Sequence, residues 1–327
     1  MNEHTAQKNS HFLLSYYLSW KNISILFILT IIYFLAGKIG LMLAFENASA
    51  TAVWPGTGIA IAVFLIMGVE AWPSIFIGAF LVNLTTAGTI PTSLGIAIGN
   101  TLEGIVGAYL VNRFAGGVKA FSRPQGIFRF TLLAAMLSTT ISATIGVISL
   151  YLGGFVQSNY ALVWFTWWMG DATGDIIIAP LILIWSLKSK VDFRRINFFE
   201  VVVVFLFLFL MGFIIFDGIL KNYPIEFLLL PILIWVAFRL SKRQTVTVIF
   251  LISLIAIHGT LNGFGPFIRP SQNESLIILQ AFMAIITIAT LIMAALVGER
   301  RKIQLDLLRA HMQLKRICQE KENKKNQ

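Results

Sequence analysis

Residues 275–298 read SLIILQAFMAIITIATLIMAALVG, a long run in which no side chain is charged. An α-helix rises about 1.5 Å per residue and the hydrocarbon core of a bilayer is about 30 Å thick, so about 20 apolar residues cross it. In lipid, the backbone polar groups of a single segment can be satisfied only inside a helix. The stretch therefore predicts a membrane-spanning α-helix.

Similar apolar segments recur along the chain. Of its 327 residues 57% are hydrophobic and 12% are charged, against about 25% charged residues in soluble domains. Ten segments stand out, at residues 23–44, 52–68, 72–88, 92–113, 126–152, 160–187, 199–219, 225–239, 243–258 and 275–298. The eighth and ninth are short and can instead form one broken unit. We predict an all-α, polytopic transmembrane bundle of about ten spans (eight to ten).

The basic residues predict the orientation of this bundle. Most of the 25 lysine and arginine residues fall in alternate loops and in the C-terminal segment, and cytoplasmic loops carry this excess. Both termini are therefore expected in the cytoplasm. The same placement explains the formal net charge of +10 without nucleic-acid binding. We divide the chain into a cytoplasmic N-terminal segment (1–22), an integral membrane domain (23–298) and a cytoplasmic helix with a charged tail (299–327).

The segment after Gly298 keeps a helical pattern. Apolar residues follow each other at alternating four- and three-residue steps, which is the spacing of a coiled-coil seam. These residues are Ile303, Leu307, Ala310, Leu314 and Ile317. Two interpretations stay open: a plain exit helix, or a helix that forms a homodimer through residues 299–317 and passes a signal to a cytoplasmic output domain or partner.

Several ionisable residues interrupt the predicted spans. Lys38, Glu103, Asp171 and Asp175 lie within them, and Glu46 lies at an outer edge. An ionisable residue at a helix centre raises the free energy of membrane insertion by about 2.5–3.5 kcal/mol, so it indicates a functional site by default. In the predicted orientation all of them lie at or outside the bilayer midplane, which indicates a site that opens outward.

Helical spacing groups polar and aromatic residues around these acids. Asp171 and Asp175 are four residues apart and share one face with Trp167. We predict an outward-facing pocket, suited to a ligand that is partly apolar and partly cationic or hydroxylated. The expected binding residues are Lys38, Trp54, Asn83, Asn100, Glu103, Trp167, Trp168, Asp171 and Asp175. Structural or gating roles are expected for Pro55, Gly58, Gly170 and Pro180.

Charge balance leaves a second interpretation of the acids. Lys38 can neutralise one of the three intramembrane carboxylates, and the other two must be protonated, hydrated or matched by an incoming cation. The cluster could thus be a binding site, or a buried ion pair with protonated acids that locks the bundle. The sequence has no Walker A, HExxH, GxSxG or CxxC motif. We therefore expect no enzyme activity, cofactor or metal site.

Several of these stretches together resemble one known family. The chain is similar to the first-described class of bacterial membrane-associated sensor (MASE-type) domains over about residues 20–300. The stretches are ATAVWPGTGIAIA (50–62), GVEAWPSIFIGAFLVNL (68–84), GNTLEGIVGAYL (99–110), WFTWWMGDATGDIIIAP (164–180) and GFGPF (263–267), with Glu299-Arg300 in the closing helix.

The resemblance implies a bacterial inner-membrane input module that precedes histidine kinases or diguanylate cyclases. Family members usually continue into an output domain, which this sequence lacks, so we expect an excised sensor portion or a stand-alone protein that signals through a partner. The family pattern falls on Trp54, Pro55, Gly58, Asn83, Asn100, Glu103, Trp167, Trp168, Gly170, Asp171 and Pro180.

Three functional hypotheses follow. The first is a sensor that binds an unidentified small molecule or partner in the outer pocket. The second is a solute transporter or its substrate-binding subunit, because intramembrane carboxylates, glycine-rich helices and broken spans are typical of transporters. The third is a structural or assembly protein, in which the acids would serve stability alone.

Overall fold

The computed structural model describes residues 19–42, 51–187, 198–216 and 225–325. Ten helices cover these ranges, and no β-strand occurs in them. They are α1 (Trp20–Met42), α2 (Pro55–Met67), α3 (Trp72–Leu84), α4 (Ile90–Leu110), α5 (Pro124–Leu152), α6 (Tyr160–Ser186), α7 (Phe198–Phe216), α8 (Leu229–Arg239), α9 (Lys242–Leu261) and α10 (Gln272–Lys325). The all-α prediction is confirmed, and each helix overlaps one predicted apolar segment.

Two of the helices contain π-helical turns. The end of α4 continues as a π-helix over Val111–Ala115, and α5 is π-helical over Thr131–Ser138. Short 3-10 helices cover Val69–Ala71, Gly117–Ser122 and Glu226–Leu228. Irregular turns of this kind inside a helix often occur at functional sites.

Within the described ranges, six helical segments are long and apolar enough to cross a membrane: Trp20–Met42, Ile90–Ala115, Pro124–Leu152, Tyr160–Ser186, Lys242–Leu261 and Gln272–Ile317. Helices α2 and α3 have 13 residues each, which is about 20 Å of helix. Helix α8 has only 11 residues. The expectation of eight to ten spans is thus not confirmed and stays a prediction, as does the cytoplasmic position of both termini.

Helix α2 is apolar because protein surrounds it. Ten of its 13 residues are buried, and it packs between α4 and α6. A Cβ atom added at Gly58 would lie 2.6 Å from the carbonyl oxygen of Gly174 in α6. Small residues allow such close backbone approach in membrane proteins. Burial in the bundle and exposure to lipid both select apolar residues, so hydropathy alone could not distinguish a central helix from a span.

Helix α10 is a single unbroken helix of 54 residues. It extends the apolar stretch of residues 275–298 directly into the polar tail. Its seam side chains are exposed: Ile303 by 63%, Leu307 by 71%, Leu314 by 62% and Ile317 by 50%. The helical pattern predicted after Gly298 is confirmed, while dimerisation through it stays a prediction.

Candidate functional site

The N-terminus of α2 is fixed to the middle of α6 by backbone hydrogen bonds. The amide of Trp54 donates to the carbonyl of Gly170 at 3.0 Å. The hydroxyl of Thr57 lies 3.0 Å from the carbonyl oxygen of Trp54 and 3.1 Å from that of Asp171. Pro55 follows at the first helical position, where its missing N–H leaves no bond unmade. These contacts bring the indole of Trp54 next to the acidic segment of α6.

Asn100 connects three helices at the same depth. Its Nδ2 atom donates to the hydroxyl of Tyr33 in α1 at 3.3 Å, and its Oδ1 atom accepts from the hydroxyl of Ser142 in α5 at 2.8 Å. Asn100 itself is only 2% exposed. A buried amide with both ends hydrogen-bonded specifies how its neighbours pack. Tyr33 and Ser142 therefore belong to the site, although the sequence did not single them out.

Helices α4 and α6 bring the three predicted carboxylates together. Glu103, Asp171 and Asp175 are 0%, 1% and 0% exposed. Their carboxyl groups are close enough to interact electrostatically: Glu103 interacts with both aspartates, and Asp175 interacts with Asp171. The three carboxylates therefore form one cluster in the interior of the bundle, as a recognition site requires.

None of these carboxylate oxygens has a hydrogen-bond partner of good geometry within the described residues. Ser142 lies beside Glu103 and Asp171, the indole of Trp167 also lies beside Asp171, and Thr57 lies beside Asp175. However, each hydroxyl has one proton, which Ser142 donates to Asn100 and Thr57 donates to backbone carbonyls. A buried charge without a partner costs several kcal/mol. The cluster thus requires protons, water or an incoming cation.

A cavity of about 20 Å³ opens beside Asp171. This volume holds about one water molecule. Five predicted binding residues line it, namely Trp54, Asn83, Asn100, Trp167 and Asp171. The remaining lining residues are Leu41, Thr51, Ile96 and Gly170. In this conformation the cavity is too small for a molecule much larger than water, and only displacement of its walls would admit one.

Lys38 does not pair with the carboxylates. Its ammonium group donates to the carbonyl of Thr85 at 3.0 Å and to the hydroxyl of Thr86 at 2.9 Å. No ion pair joins it to an acid in the described part of the chain. The expectation that it neutralises one carboxylate is therefore wrong. The carbonyl groups that end α3 have no helical partner and carry partial negative charge, so they attract a lysine on a neighbouring helix.

Other predicted residues lie around the cavity rather than in its wall. The indole N–H of Trp168 donates to the carbonyl of Met136 in the π-helical turn of α5 at 2.9 Å. Gly58 forms the close contact between α2 and α6, and Pro180 lies inside α6, which continues through it. Glu103 and Asp175 are near the cavity without lining it. Glu46 lies outside the described residues.

A contact that the sequence did not predict joins the cavity to α10. The side-chain amide of Gln280 donates to the carbonyl of Thr51 at 3.0 Å, and Thr51 lines the cavity. Gln280 is 0% exposed, and its Oε1 atom has no partner in the described residues. The only signal in the sequence was one glutamine inside the apolar stretch of residues 275–298.

The family model MASE1 matches residues 25–301, which is most of the chain and includes every residue of the cavity wall. No curated protein and no solved structure matches the chain.

Proposed function

Because the chain belongs to the MASE1 family of membrane sensory domains, we propose that it binds a small cationic or hydroxyl-donating molecule at the carboxylate cluster. Binding would come from the outer side of the membrane. The bound state would then shift α10, which carries the signal to a cytoplasmic output domain or partner of the kinase or cyclase type.

One observation supports this proposal above the others. Glu103, Asp171 and Asp175 are buried without a hydrogen bond of good geometry to any described residue, and Asp171 lines a cavity with two indole walls. A protein that used its acids only for stability would satisfy them internally, because unsatisfied buried polar groups are expensive. Acids without partners suit a ligand that supplies positive charge or donors, and indoles bind cations through their π faces.

The small volume of the cavity implies a second state. A ligand larger than water must displace Trp54 or Trp167, and it shifts the equilibrium only if it binds the open state better than the closed one. Opening would disturb Thr51, which contacts Gln280 of α10. The unbroken α10 helix then gives a direct mechanical path from the cavity to the polar tail.

The test uses the lone cysteine of the chain, Cys318, which lies on α10. The full chain carries a nitroxide at Cys318 in nanodiscs and is exposed to methylammonium, choline or sodium, with glucose as a hydroxylated probe. We expect at least one of these to change the nitroxide spectrum, and Asp171→Asn to abolish the change. Glu274→Gln serves as the matched control, because it removes an exposed carboxylate from the first turn of α10.

Two outcomes of this experiment would contradict the proposal. Absence of any spectral response to all four probes would contradict ligand sensing by this cluster, as would an equal response in Asp171→Asn. Uptake of labelled methylammonium into proteoliposomes that depends on Asp171 would instead favour the transporter hypothesis.

A further inference from the structure

A second, larger cavity shares no lining residue with the cavity beside Asp171. It measures about 770 Å³ and is formed by the connection between α4 and α5 together with α10. Cavities of about 300–1,000 Å³ are typical of small-molecule sites. Four basic residues line it, Lys119, Arg123, Arg129 and Lys302, and we refer to it as the basic cavity.

The basic cavity has a strong excess of positive charge. Glu299 is its only acidic lining residue, and none of the four cations forms an ion pair in the described residues. Glu299 also interacts with Lys242, a fifth cation that donates to the carbonyl of Phe121 and to that of Ser122, which lines the cavity. The charge of Glu299 is thus shared, and most of the positive charge is uncompensated.

The backbone of the connection leaves room for a ligand. Gly116 lines the cavity and has a φ of 92°, in the left-handed region where side chains are disfavoured. A Cβ atom added there would meet no other atom within 4 Å. The guanidinium of Arg129 also donates to the carbonyl of Phe114 at 2.9 Å, which orients this arginine at the cavity wall.

We propose that the basic cavity binds a phosphate-bearing anion. Arginine recognises phosphate through paired N–H donors and lysine supplies a compact charge, so this combination suits phosphate groups. In the predicted orientation the cavity lies on the cytoplasmic side, where anionic lipid headgroups and soluble phosphorylated molecules both occur. Lys302 and Glu299 belong to α10, so an anion bound there contacts the same helix that leaves the membrane domain. An anion bound there would be a second input to this helix.

The experiment has one arm for each source of phosphate. In the first arm, pyrophosphate is titrated calorimetrically into the full chain in phosphatidylcholine nanodiscs. In the second arm, native mass spectrometry counts the phosphatidylglycerol molecules that the detergent-purified chain retains. The test variant is Lys119→Gln/Arg123→Gln, whose side chains are exposed. The matched control, Arg300→Gln/Lys315→Gln, removes the same charge from exposed positions of α10 outside the cavity.

Loss of two charge-assisted contacts is expected to weaken binding at least about tenfold in the test variant, with little change in the control. Weakening in the pyrophosphate arm identifies a soluble ligand, and loss of retained phosphatidylglycerol identifies a lipid headgroup. If both variants match the wild-type chain in both arms, the proposal is overturned. Equal weakening in both variants also overturns it, since that indicates only a general effect of net charge. Thermal unfolding of both variants checks that neither is misfolded.

Discussion

Replacement of Gly58 by alanine tests the contact between α2 and α6 on which the site is built. The added Cβ atom would lie 2.6 Å from the carbonyl oxygen of Gly174, 2.7 Å from the Cβ of Ile178 and 2.9 Å from the amide nitrogen of Ala179. Two of these three neighbours are backbone atoms, which cannot rotate away. Helix α2 or α6 would therefore have to move.

The magnitude follows from two opposing effects. Overpacking in a well-packed core costs about 1–3 kcal/mol, and backbone neighbours favour the upper end of this range. Alanine regains about 1 kcal/mol of helix propensity over glycine. We therefore expect Gly58→Ala to lower the free energy of unfolding by about 2 kcal/mol.

Gly298→Ala is the matched control. It adds the same methyl group to a helix, but the nearest atom is Cε of the flexible Lys242 side chain, at 3.3 Å. This change should be neutral or stabilising by up to about 1 kcal/mol. Equilibrium unfolding by SDS titration in mixed micelles compares the two variants. Equal stability of Gly58→Ala and Gly298→Ala would refute the assignment of Gly58 to a close backbone contact.

Three further substitutions address the site and its connection to α10. Asn100→Leu removes hydrogen bonds to Tyr33 and Ser142 and should cost about 2 kcal/mol in the same titration; a neutral result would contradict its connecting role. Lys38→Met should change stability by less than about 1 kcal/mol, because Lys38 forms no ion pair with the buried acids; a loss of about 3–5 kcal/mol would instead indicate a broken buried ion pair. Gln280→Leu should retain calorimetric binding of the probe that acts on the wild-type chain but lose the spectral response on α10. Loss of both would make Gln280 part of the binding site rather than of the connection.

The helices could be predicted from the sequence because apolar runs and polar loops alternate along it. The predicted segment 160–187 and the observed helix Tyr160–Ser186 agree almost to the residue. Span count was less predictable, since α2 is apolar through burial in protein. Hydropathy measures how unfavourable it is to expose a segment to water. It does not distinguish a segment surrounded by lipid from one surrounded by other helices.

The acids of the site were predictable because their burial costs free energy. Glu103, Asp171 and Asp175 stood out because carboxylates are expensive in lipid, and they do lie together. Tyr33 and Gln280 were missed, because a tyrosine or glutamine in a span is unremarkable until its partner is known. The bond from Gln280 to Thr51 joins residues 229 positions apart, which no local pattern can indicate.

The error at Lys38 had a specific cause. We considered only carboxylates as its partners, whereas the carbonyl groups that end α3 are also acceptors.

The basic cavity was missed for a related reason. The positive-inside rule already explained Lys119, Arg123 and Lys302, and Arg129 fell within a predicted span, so no pattern in the sequence grouped the four residues around one cavity.

The two sites meet on one helix. Gln280 contacts the wall of the cavity beside Asp171 and Lys302 lines the basic cavity, and their separation of 22 positions corresponds to about 33 Å of helix. This length matches the hydrocarbon core of a bilayer, about 30 Å. Because α10 is unbroken between these residues, we expect a ligand that displaces it at one cavity to alter the other. Any such coupling is reciprocal for binding free energies, so a phosphate-bearing anion in the basic cavity should change the affinity of the outer site by the same factor as the outer ligand changes that of the anion.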